Sequence, residues 1–328
     1  MARHRAARRY GLRALAMVAA GAAMVFTLRG RLPDPGTVAG VLAGANAGWL
    51  VLAWSVQNFS QAAFARQQRA LLAALDVDIS RRDALAITYS RSAMSLVLPG
   101  GSAVSAAFAL RQYRRRGAST AVAATATALS AVASVVGLAL LYTATVGPPA
   151  WAHSPAWHVA PPVGMLAVLL GVLALLRRRS ARPPGPPVAH RHRWRWAARL
   201  HEEAHNIAAV ARAVSVGQLA VPVGYAALNW LLDLCCLIAV AHACDLPLTA
   251  FQLATVYLAV QVVRQVPLTP GGIGLIEASL LAGLVTAGAP QSGAAAAVLA
   301  YRLISCWLVL PAGLLAYVRL HRRDQRRV

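Results

Sequence analysis

Six long apolar stretches, separated by clusters of arginine, constrain this chain more than any other feature of its sequence. A helix needs about 20 mostly apolar residues to cross about 30 Å of hydrocarbon. The stretches that meet this requirement are residues 12–28, 37–56, 120–146, 159–176, 217–243 and 294–318. The pattern predicts an all-α fold, a polytopic membrane helical bundle with six full spans. We expect the first stretch to be an uncleaved signal anchor.

Composition excludes an ordinary soluble domain and a nucleic-acid-binding protein. The 328 residues are 58% hydrophobic and 13% charged, whereas about 25% of the residues of a typical soluble domain are charged. All 32 basic residues are arginine and only 10 residues are acidic, which gives a net charge of +22. Because the arginines lie between apolar stretches and form no continuous basic surface, we expect no nucleic-acid partner.

Arginine counts in the connecting segments predict the orientation, because cytoplasmic loops carry an excess of basic residues. The arginine-rich segments are 1–11, 57–83, 111–117, 177–213 and 319–328, whereas 147–158, 244–250 and 289–293 have no arginine. The prediction is one integral membrane domain, 1–328, in the cell (inner or plasma) membrane with both termini cytoplasmic. Loop 177–213 is rich in Arg and Pro and is predicted to contain an amphipathic helix. The arginine clusters are expected to contact anionic inner-leaflet lipids.

Two further apolar regions, 84–110 and 251–288, must begin and end on the same side of the membrane if the orientation is right. The first is broken at Leu98-Pro99-Gly100-Gly101 and the second at Thr269-Pro270-Gly271-Gly272. We expect two re-entrant hairpins that enter from opposite faces and form an inverted repeat, with a binding site near the midplane. For either break alone, a tight turn at the water interface is the alternative.

Charged residues near these breaks give a candidate site for an anionic headgroup. Glu277 follows the second break by about one turn of helix, where the helix dipole favours its charge, and three arginines lie inside apolar segments. In the functional interpretation the arginines attract a phosphate, the amides after the glycines hold it, and Glu277 carries a proton or releases the arginines. In the structural alternative one arginine pairs with Glu277 and two reach the interface, or Asp233 pairs with Arg264 or Arg302. The candidate substrate-binding residues are Pro270, Gly271, Gly272, Gly274, Glu277, Arg302, Arg264, Arg91, Gly100, Gly101 and Asp233.

A different chemistry is indicated by His201-Glu202-Glu203-Ala204-His205, which matches HExxH. On a helix this spacing places two imidazoles on one face for Zn²⁺ with a glutamate as general base, as in zinc metalloproteases. The segment is locally rich in histidine and has no obvious third ligand. A solvated helix face is therefore favoured over a zinc site at His201, Glu202 and His205, and no cofactor is expected.

Four cysteines and three glycines are assigned to packing. The cysteines have no zinc or disulfide spacing, and the glycines form a double GxxxG that would let another helix approach closely. These residues are Cys235, Cys236, Cys244 and Cys306, and Gly40, Gly44 and Gly48.

The segment from Thr269 to Glu277 is similar to the PGGxGxxE signature of the lysylphosphatidylglycerol synthase transmembrane-region family, the flippase half of MprF-type proteins. The resemblance extends from about residue 40 onward and rests on further matches at Tyr301-Arg302-Leu303, Asn229-Trp230 and the Leu98–Gly101 hairpin, which ends in Arg111. It implies a membrane protein that moves, or helps move, a phospholipid or polyprenyl-linked headgroup between leaflets by rocking one repeat against the other. The residues that match family positions are Pro270, Gly271, Gly272, Gly274, Glu277 and Arg302.

Two departures from the family pattern limit what the resemblance implies. Gly101-Ser102-Ala103-Val104-Ser105 has no acidic residue where many relatives have one, so a mechanism with two carboxylates is in doubt. No segment outside the spans is long enough for an aminoacyl-transferase domain, and we expect no enzyme activity. Glu277→Gln is expected to fold but to lose lipid transfer. The chain could form a homo-oligomer. The alternative function is that of a non-transporting partner of a lipid-modifying or glycosyl-transferring enzyme.

Overall fold

A computed structural model describes residues 34–98, 100–145, 209–210, 214–264 and 272–325. Within these ranges the chain forms helices and no strand. The helices are α1 Pro35–Gly44, α2 Ala47–Ala73, α3 Arg81–Val97, α4 Gly101–Arg114, α5 Thr120–Thr145, α6 Val216–Ala243, α7 Ala250–Arg264, α8 Leu275–Thr286, α9 Gln291–Arg302 and α10 Val309–Gln325. A π-helical turn, Leu303–Trp307, joins α9 to α10. The all-helical prediction is therefore confirmed for the described residues.

Three helical segments are long and apolar enough to cross a membrane among the residues that the structure describes. They are Thr120–Thr145, Gly217–Ala243 and Gln291–Gln325, and they confirm the helices expected at 120–146, 217–243 and 294–318. The stretches 12–28 and 159–176 lie outside the described residues, and so does nearly all of loop 177–213 with its expected amphipathic helix.

The crossing expected at 37–56 is wrong as a single helix, because α1 and α2 meet there at an angle of 87°. Ala45 is extended, and the Oδ1 atom of Asn46 accepts hydrogen bonds from the amides of Gly48 at 2.9 Å and Trp49 at 3.3 Å. A short polar side chain that satisfies the first free amides of a helix starts a new helix at that point. The amide of Asn46 also donates to the carbonyl of Ala243 at 2.9 Å, which fixes the bend against the end of α6.

The inside loop expected at 57–83 is helical over most of its length, since α2 continues to Ala73. One face of this part of α2 consists of buried amide and hydroxyl side chains. Gln57, Ser60, Gln67 and Gln68 are at most 5% exposed. Arg66 and Arg69 made the segment resemble a loop, but both project from a helix whose opposite face is buried.

The double GxxxG does not form one helix face, because Gly48 lies beyond the bend that separates it from Gly40 and Gly44. A Cβ atom added at Gly40 or Gly44 would meet nothing within 4 Å among the described residues. Close helix approach occurs elsewhere: a Cβ at Gly137 of α5 would lie 2.6 Å from the backbone nitrogen of Ala227 in α6. The cysteines were also expected to be packing residues, and Cys236, Cys244 and Cys306 are buried.

Two pairs of short helices form hairpins at the positions expected from the Pro-Gly-Gly segments. Helices α3 and α4 pack against each other on either side of residues 98–100, and α7 and α8 do so on either side of 265–274. In the second hairpin, Gln252 donates to the carbonyl of Ala287 at 3.1 Å and Gly283 lies against Val256. The sequence therefore predicted both interruptions.

The chain divides into two compact units. Unit 1 comprises residues 1–51 and 237–303 and includes the α7–α8 hairpin, and unit 2 comprises 52–236 and 304–328 and includes the α3–α4 hairpin. In unit 2 the last helix packs closely on the first hairpin. A Cβ at Gly313 of α10 would lie 2.5 Å from both the Ala93 Cβ and the Tyr89 carbonyl oxygen of α3.

A cluster of ion pairs lies at the arginine-rich end of unit 2. Asp83, in the first turn of α3, lies 3.5 Å from both Arg116 and Arg323, and Asp324 of α10 lies 2.6 Å from Arg115. Partial burial acts to raise the pKa of Asp83, but the hydrogen bond and charge of Arg116, with Ser80 and Arg323, hold that pKa below its ordinary value. The ionised carboxylate thus ties both arms of the first hairpin to the last helix.

This lowered pKa predicts a pH-dependent contribution to stability. A carboxyl group whose pKa is lower in the folded state stabilises the fold at pH values above its unfolded pKa, and the contribution disappears as the pH falls through the folded pKa. We expect Asp83→Asn to melt at a lower temperature than the parent protein at pH 7, and the difference to be smaller at pH 3, which lies below the ordinary carboxyl pKa of 3.8. Thermal unfolding in detergent measures this, with Asp78→Asn as the control because the Asp78 side chain is 86% exposed. A melting difference that is the same at both pH values would contradict the prediction.

Candidate functional site

The carboxylate of Glu277 caps the N-terminus of its own helix, α8. The helix begins at Leu275 after Gly274, whose φ of 85° is a conformation that favours glycine. Oε2 of Glu277 accepts a hydrogen bond of 2.6 Å from the Gly274 amide, which is one half of a capping box. The expected anion-binding helix terminus is therefore already partly satisfied by a carboxylate of the chain.

The other oxygen of Glu277 binds Arg302 at the end of α9. Nε of Arg302 donates to Oε1 of Glu277 at 2.5 Å, and the two side chains are 5% and 28% exposed. Removing one partner of a buried ion pair costs about 3–5 kcal/mol, because the other charge is left without compensation. Helix α9 is thus held to the start of α8, immediately after the interrupted segment of the second hairpin.

This contact settles which charges are paired around Arg302. Among the described residues, Glu277 and not Asp233 is its ion-pair partner, as in the structural alternative that allowed one Arg–Glu pair. Asp233 is 7% exposed on α6 in unit 2, whereas Arg264 is exposed at the end of α7 in unit 1. Neither of these two is an unpaired charge.

The glycine-rich segment of the second hairpin is only partly described. Gly272 has a φ of 70° and lies against Ile276, so the backbone there depends on glycine. Pro270 and Gly271 lie outside the described residues, and the contacts predicted for them stay predictions.

The first hairpin break combines a left-handed residue with a very close backbone contact. Gly100 has a φ of 68° and precedes α4 as its N-cap. A Cβ at Gly101 would lie 2.5 Å from the carbonyl oxygen and 2.7 Å from the Cα of Ser95. These two glycines therefore shape the tip of the hairpin.

Arg91 of α3 is the candidate residue with the least compensated charge. Its guanidinium lies 5.6 Å above the Phe64 ring and beside the Tyr113 hydroxyl. The buried Nε and Nη1 atoms have no hydrogen-bond acceptor, and none of the described carboxylates forms an ion pair with this residue. A cation–π contact is worth about 0.5–2 kcal/mol, less than the approximately 3 kcal/mol that insertion scales assign to an arginine at the membrane centre.

A network of buried polar groups beside Arg91 was missed in the sequence. Gln67 and Gln68 of α2 both donate to Ser130 of α5, and the Tyr113 hydroxyl donates to Oε1 of Gln68 at 2.9 Å. One turn further along α5, the Ser134 carbonyl accepts a hydrogen bond of 2.8 Å from Trp230 of α6. The signal was present as polar residues at helical spacing between 57 and 68, but the arginines of that segment masked it.

The zinc alternative is not tested, because His201, Glu202 and His205 lie outside the described residues. In the parts of the chain that are described, no group of three His, Cys, Asp or Glu side chains could hold a metal ion. The candidate site in these parts is therefore made of arginine, carboxylate and glycine residues.

Comparison with known protein families agrees with the membrane architecture. No curated protein matches the chain. The family model described as the lysylphosphatidylglycerol synthase TM region matches residues 13–313, which include both hairpins, Glu277 and Arg302. A match over most of the length confirms the resemblance inferred from the sequence. The chain belongs to the lysylphosphatidylglycerol synthase transmembrane-region family.

Proposed function

We propose that this protein is a flippase-like membrane protein, not an enzyme, that binds an anionic phospholipid or polyprenyl-linked lipid headgroup and moves it between leaflets. The observation that carries the proposal is the buried Glu277–Arg302 pair beside an interrupted helix. Ionisable groups inside membrane segments are costly and mark substrate or ion pathways. Interrupted helices at membrane depth occur where the backbone lines a cavity or is buried in protein.

Arg302 is suited to exchange one anion for another. Glu277 accepts its Nε–H, and the two terminal nitrogens are further donors. A guanidinium group presents five N–H donors in a fixed fork that matches phosphate oxygens. A headgroup phosphate can therefore join or displace the Glu277 carboxylate, and protonation of Glu277 would favour that exchange.

The lengths of the hairpin arms support re-entrant segments. Helices α3, α4, α7 and α8 have 17, 14, 15 and 12 residues. At 1.5 Å per residue they extend about 18–26 Å, which is less than the roughly 30 Å of a hydrocarbon core. Hairpins of this size enter a bilayer and return to the same face.

The order of the elements supports an internal repeat, and the predicted orientation makes it an inverted one. A long helix, a hairpin and a second long helix occur in sequence as α2, α3–α4 and α5, and again as α6, α7–α8 and α9–α10. The arginine-rich segments predict that the first hairpin entrance and both termini lie on the cytoplasmic side, next to anionic lipids. An intracellular entrance for one hairpin and an external entrance for the other would give each leaflet its own access route.

The proposal is tested by lipid transfer in proteoliposomes with fluorescent phosphatidylglycerol. We expect the parent protein to transfer the lipid and the neutral variant Glu277→Gln/Arg302→Gln to do so at least tenfold more slowly, a change of about 1.4 kcal/mol in the barrier. Both residues are changed because Glu277→Gln alone leaves a buried arginine unpaired. Asp78→Asn removes one member of an exposed Arg–Asp pair and is the matched control.

The outcome separates transport from an accessory role. Transfer that is lost in the neutral variant and kept in the control supports the proposal, provided that both variants melt within a few degrees of the parent protein. Absence of transfer of any tested phospholipid or polyprenyl phosphate by the folded parent protein would overturn it. The partner-subunit hypothesis would then be tested by identifying proteins that co-purify.

A further inference from the structure

Two different kinds of contact hold α10 to the first hairpin in unit 2. Up to Leu320 the contact is apolar, since Leu320 is 2% exposed and belongs to the same buried core as Ile87 and Phe108. After Leu320 the described helix continues to Gln325 with no apolar residue. We call residues 321–325 the C-terminal strap. Its contacts with the hairpin are ionic and polar, so the strap can separate from the hairpin without exposing apolar surface of its own.

The strap lies across the open end of the hairpin, where the first arm begins and the second arm ends. Arg323 of the strap lies 3.5 Å from Asp83 in the first turn of α3. Asp324 accepts hydrogen bonds from Arg115 at 2.6 Å and from Gln112 at 3.4 Å, both at the end of α4. Two adjacent residues of the strap therefore hold both arms of the hairpin.

Detachment of the strap would leave no buried charge without compensation. Asp83 also lies 3.5 Å from Arg116, whose side chain is 8% exposed, and this pair stays within the hairpin. Gln112 keeps its hydrogen bonds with Arg116 for the same reason. Asp324 would move into water together with the strap, because it belongs to the strap itself. The large cost of breaking a buried ion pair is therefore absent here.

The arginines are the accessible members of the two ion pairs that the strap makes. The side chains of Arg115 and Arg323 are 56% and 60% exposed, whereas those of Asp324 and Asp83 are 14% and 15% exposed. Ion pairs with an exposed member contribute little to stability. An anionic leaflet attracts each basic residue near its surface about as strongly, and Arg322 adds a further exposed positive charge. The attached and detached positions are therefore close in free energy, and the charge of the membrane can decide between them.

We propose that the C-terminal strap is a switch that responds to the surface charge of the membrane. In a neutral bilayer the strap lies across the first hairpin. In an anionic bilayer Arg322 and Arg323 bind lipid phosphates or carboxylates, and the strap detaches. The inference deepens the proposed function and rests on it in one respect: detachment uncovers the arginine-rich end of the hairpin, through which a headgroup would enter. The partner is the anionic leaflet that the arginine-rich end is predicted to face, not a soluble anion.

The test measures the distance between spin labels at Arg82→Cys in α3 and Gln325→Cys in the strap by double electron–electron resonance. Both native residues are exposed, and the four native cysteines of the full-length protein are replaced by alanine. We expect one short distance in phosphatidylcholine vesicles. In vesicles with about 30% phosphatidylserine, the ratio of detached to attached strap should rise at least about tenfold, because several arginines respond together.

Two lipid and anion controls identify the partner. Phosphatidylglycerol at the same proportion should detach the strap to the same extent, since both lipids carry one net negative charge. Detachment by phosphatidylglycerol alone would overturn the response to charge and indicate a change that one ligand causes. Inorganic phosphate added to phosphatidylcholine vesicles should leave the strap attached, and detachment by phosphate would overturn the assignment to the leaflet. Equal distances in neutral and anionic vesicles would overturn the proposal entirely.

Removing the carboxylates should reproduce the effect of the anionic membrane. Asp83→Asn/Asp324→Asn should be detached in phosphatidylcholine vesicles, whereas Asp78→Asn, in the exposed pair with Arg69, should stay attached. If the double variant does not fold, Asp324→Asn alone provides the test, because Asp83 keeps its pair with Arg116. A folded variant of either kind whose strap is attached as in the parent protein would contradict closure by ion pairs.

Failure of this inference and failure of the proposed function are distinguishable. Charge-dependent detachment in a protein that transfers no lipid removes only transport. Lipid transfer that needs the Glu277–Arg302 pair, with a strap that stays attached in every vesicle, removes only the switch. A regulatory role predicts further that Asp324→Asn transfers lipid at least about threefold faster than the parent protein in vesicles without other anionic lipid. A detached strap with unchanged transfer would overturn that role.

Discussion

Glu277→Gln is expected to lower the free energy of unfolding by about 3 kcal/mol or more. The substitution leaves Arg302, which is 4% exposed, without a charged partner. A glutamine can still accept the hydrogen bond from the Gly274 amide, so the cost arises from the uncompensated charge and not from loss of the cap. Unfolding in mixed detergent micelles, followed by circular dichroism, measures the difference.

The double variant Glu277→Gln/Arg302→Gln should be more stable than Glu277→Gln alone by at least about 1 kcal/mol. The double variant also removes the arginine charge that the single variant leaves unpaired. Replacing both members of a buried ion pair often changes the free energy of unfolding little. Such a recovery is a coupling energy that independent sites do not show. Asp78→Asn, in the exposed pair with Arg69, should stay within about 0.5 kcal/mol of the parent protein. Equal stability of the single and double variants would rule out a stabilising pair.

Gly101→Ala is expected to destabilise the first hairpin by about 2–3 kcal/mol. The new Cβ would lie 2.5 Å from the Ser95 carbonyl oxygen, 2.7 Å from the Ser95 Cα and 2.8 Å from the Met94 carbonyl oxygen. All three are backbone atoms, which cannot rotate away as a side chain can. The two arms must therefore separate at the tip, and overpacking of this kind costs 1–3 kcal/mol or more. The same unfolding measurement applies.

The neighbouring glycine provides the matched control. Gly100 has a φ of 68° but open space around it, so Gly100→Ala adds left-handed strain without a clash. That strain costs roughly 1–2 kcal/mol. We expect Gly101→Ala to be the more destabilising variant. If Gly100→Ala is equally or more destabilising, the close contact at the hairpin tip is not what fixes its shape.

The sequence predicted the elements that depend on local patterns. Apolar length identified the helices at 120–145, 217–243 and 291–325, and the Pro-Gly-Gly segments identified both helix breaks. The bend at Asn46 was not predicted, because hydropathy averages over a window and gives little weight to one polar cap. The expected loop from residue 57 was wrong because the arginines and the buried amides occupy opposite faces of α2, and only a helical period separates the two.

The sequence predicted the residues of the candidate site but not which of them contact each other. A lone carboxylate after a glycine-rich break identified Glu277, and apolar context identified Arg302, 25 residues away along the chain. Spacing cannot say which of several arginines reaches a carboxylate, since that depends on how α8 and α9 pack. The surroundings of Arg91 were not predicted for the same reason: the arginine was recognised, but its contacts Phe64 and Tyr113 come from two other helices.

The π-helical turn at Leu303–Trp307 gives the last helix a phase shift. Each residue of an α-helix advances by about 100° around the axis, so one surplus residue in a turn rotates everything after it by about that angle. Arg302 ends the part before the turn, and Gly313, which packs against the backbone of Tyr89, lies in the part after it. Deleting one residue, such as Ser305, would change the position around the helix axis of every residue after the turn, Gly313 included. The length of this segment therefore matters more than its composition, and substitutions there should be tolerated better than a one-residue deletion.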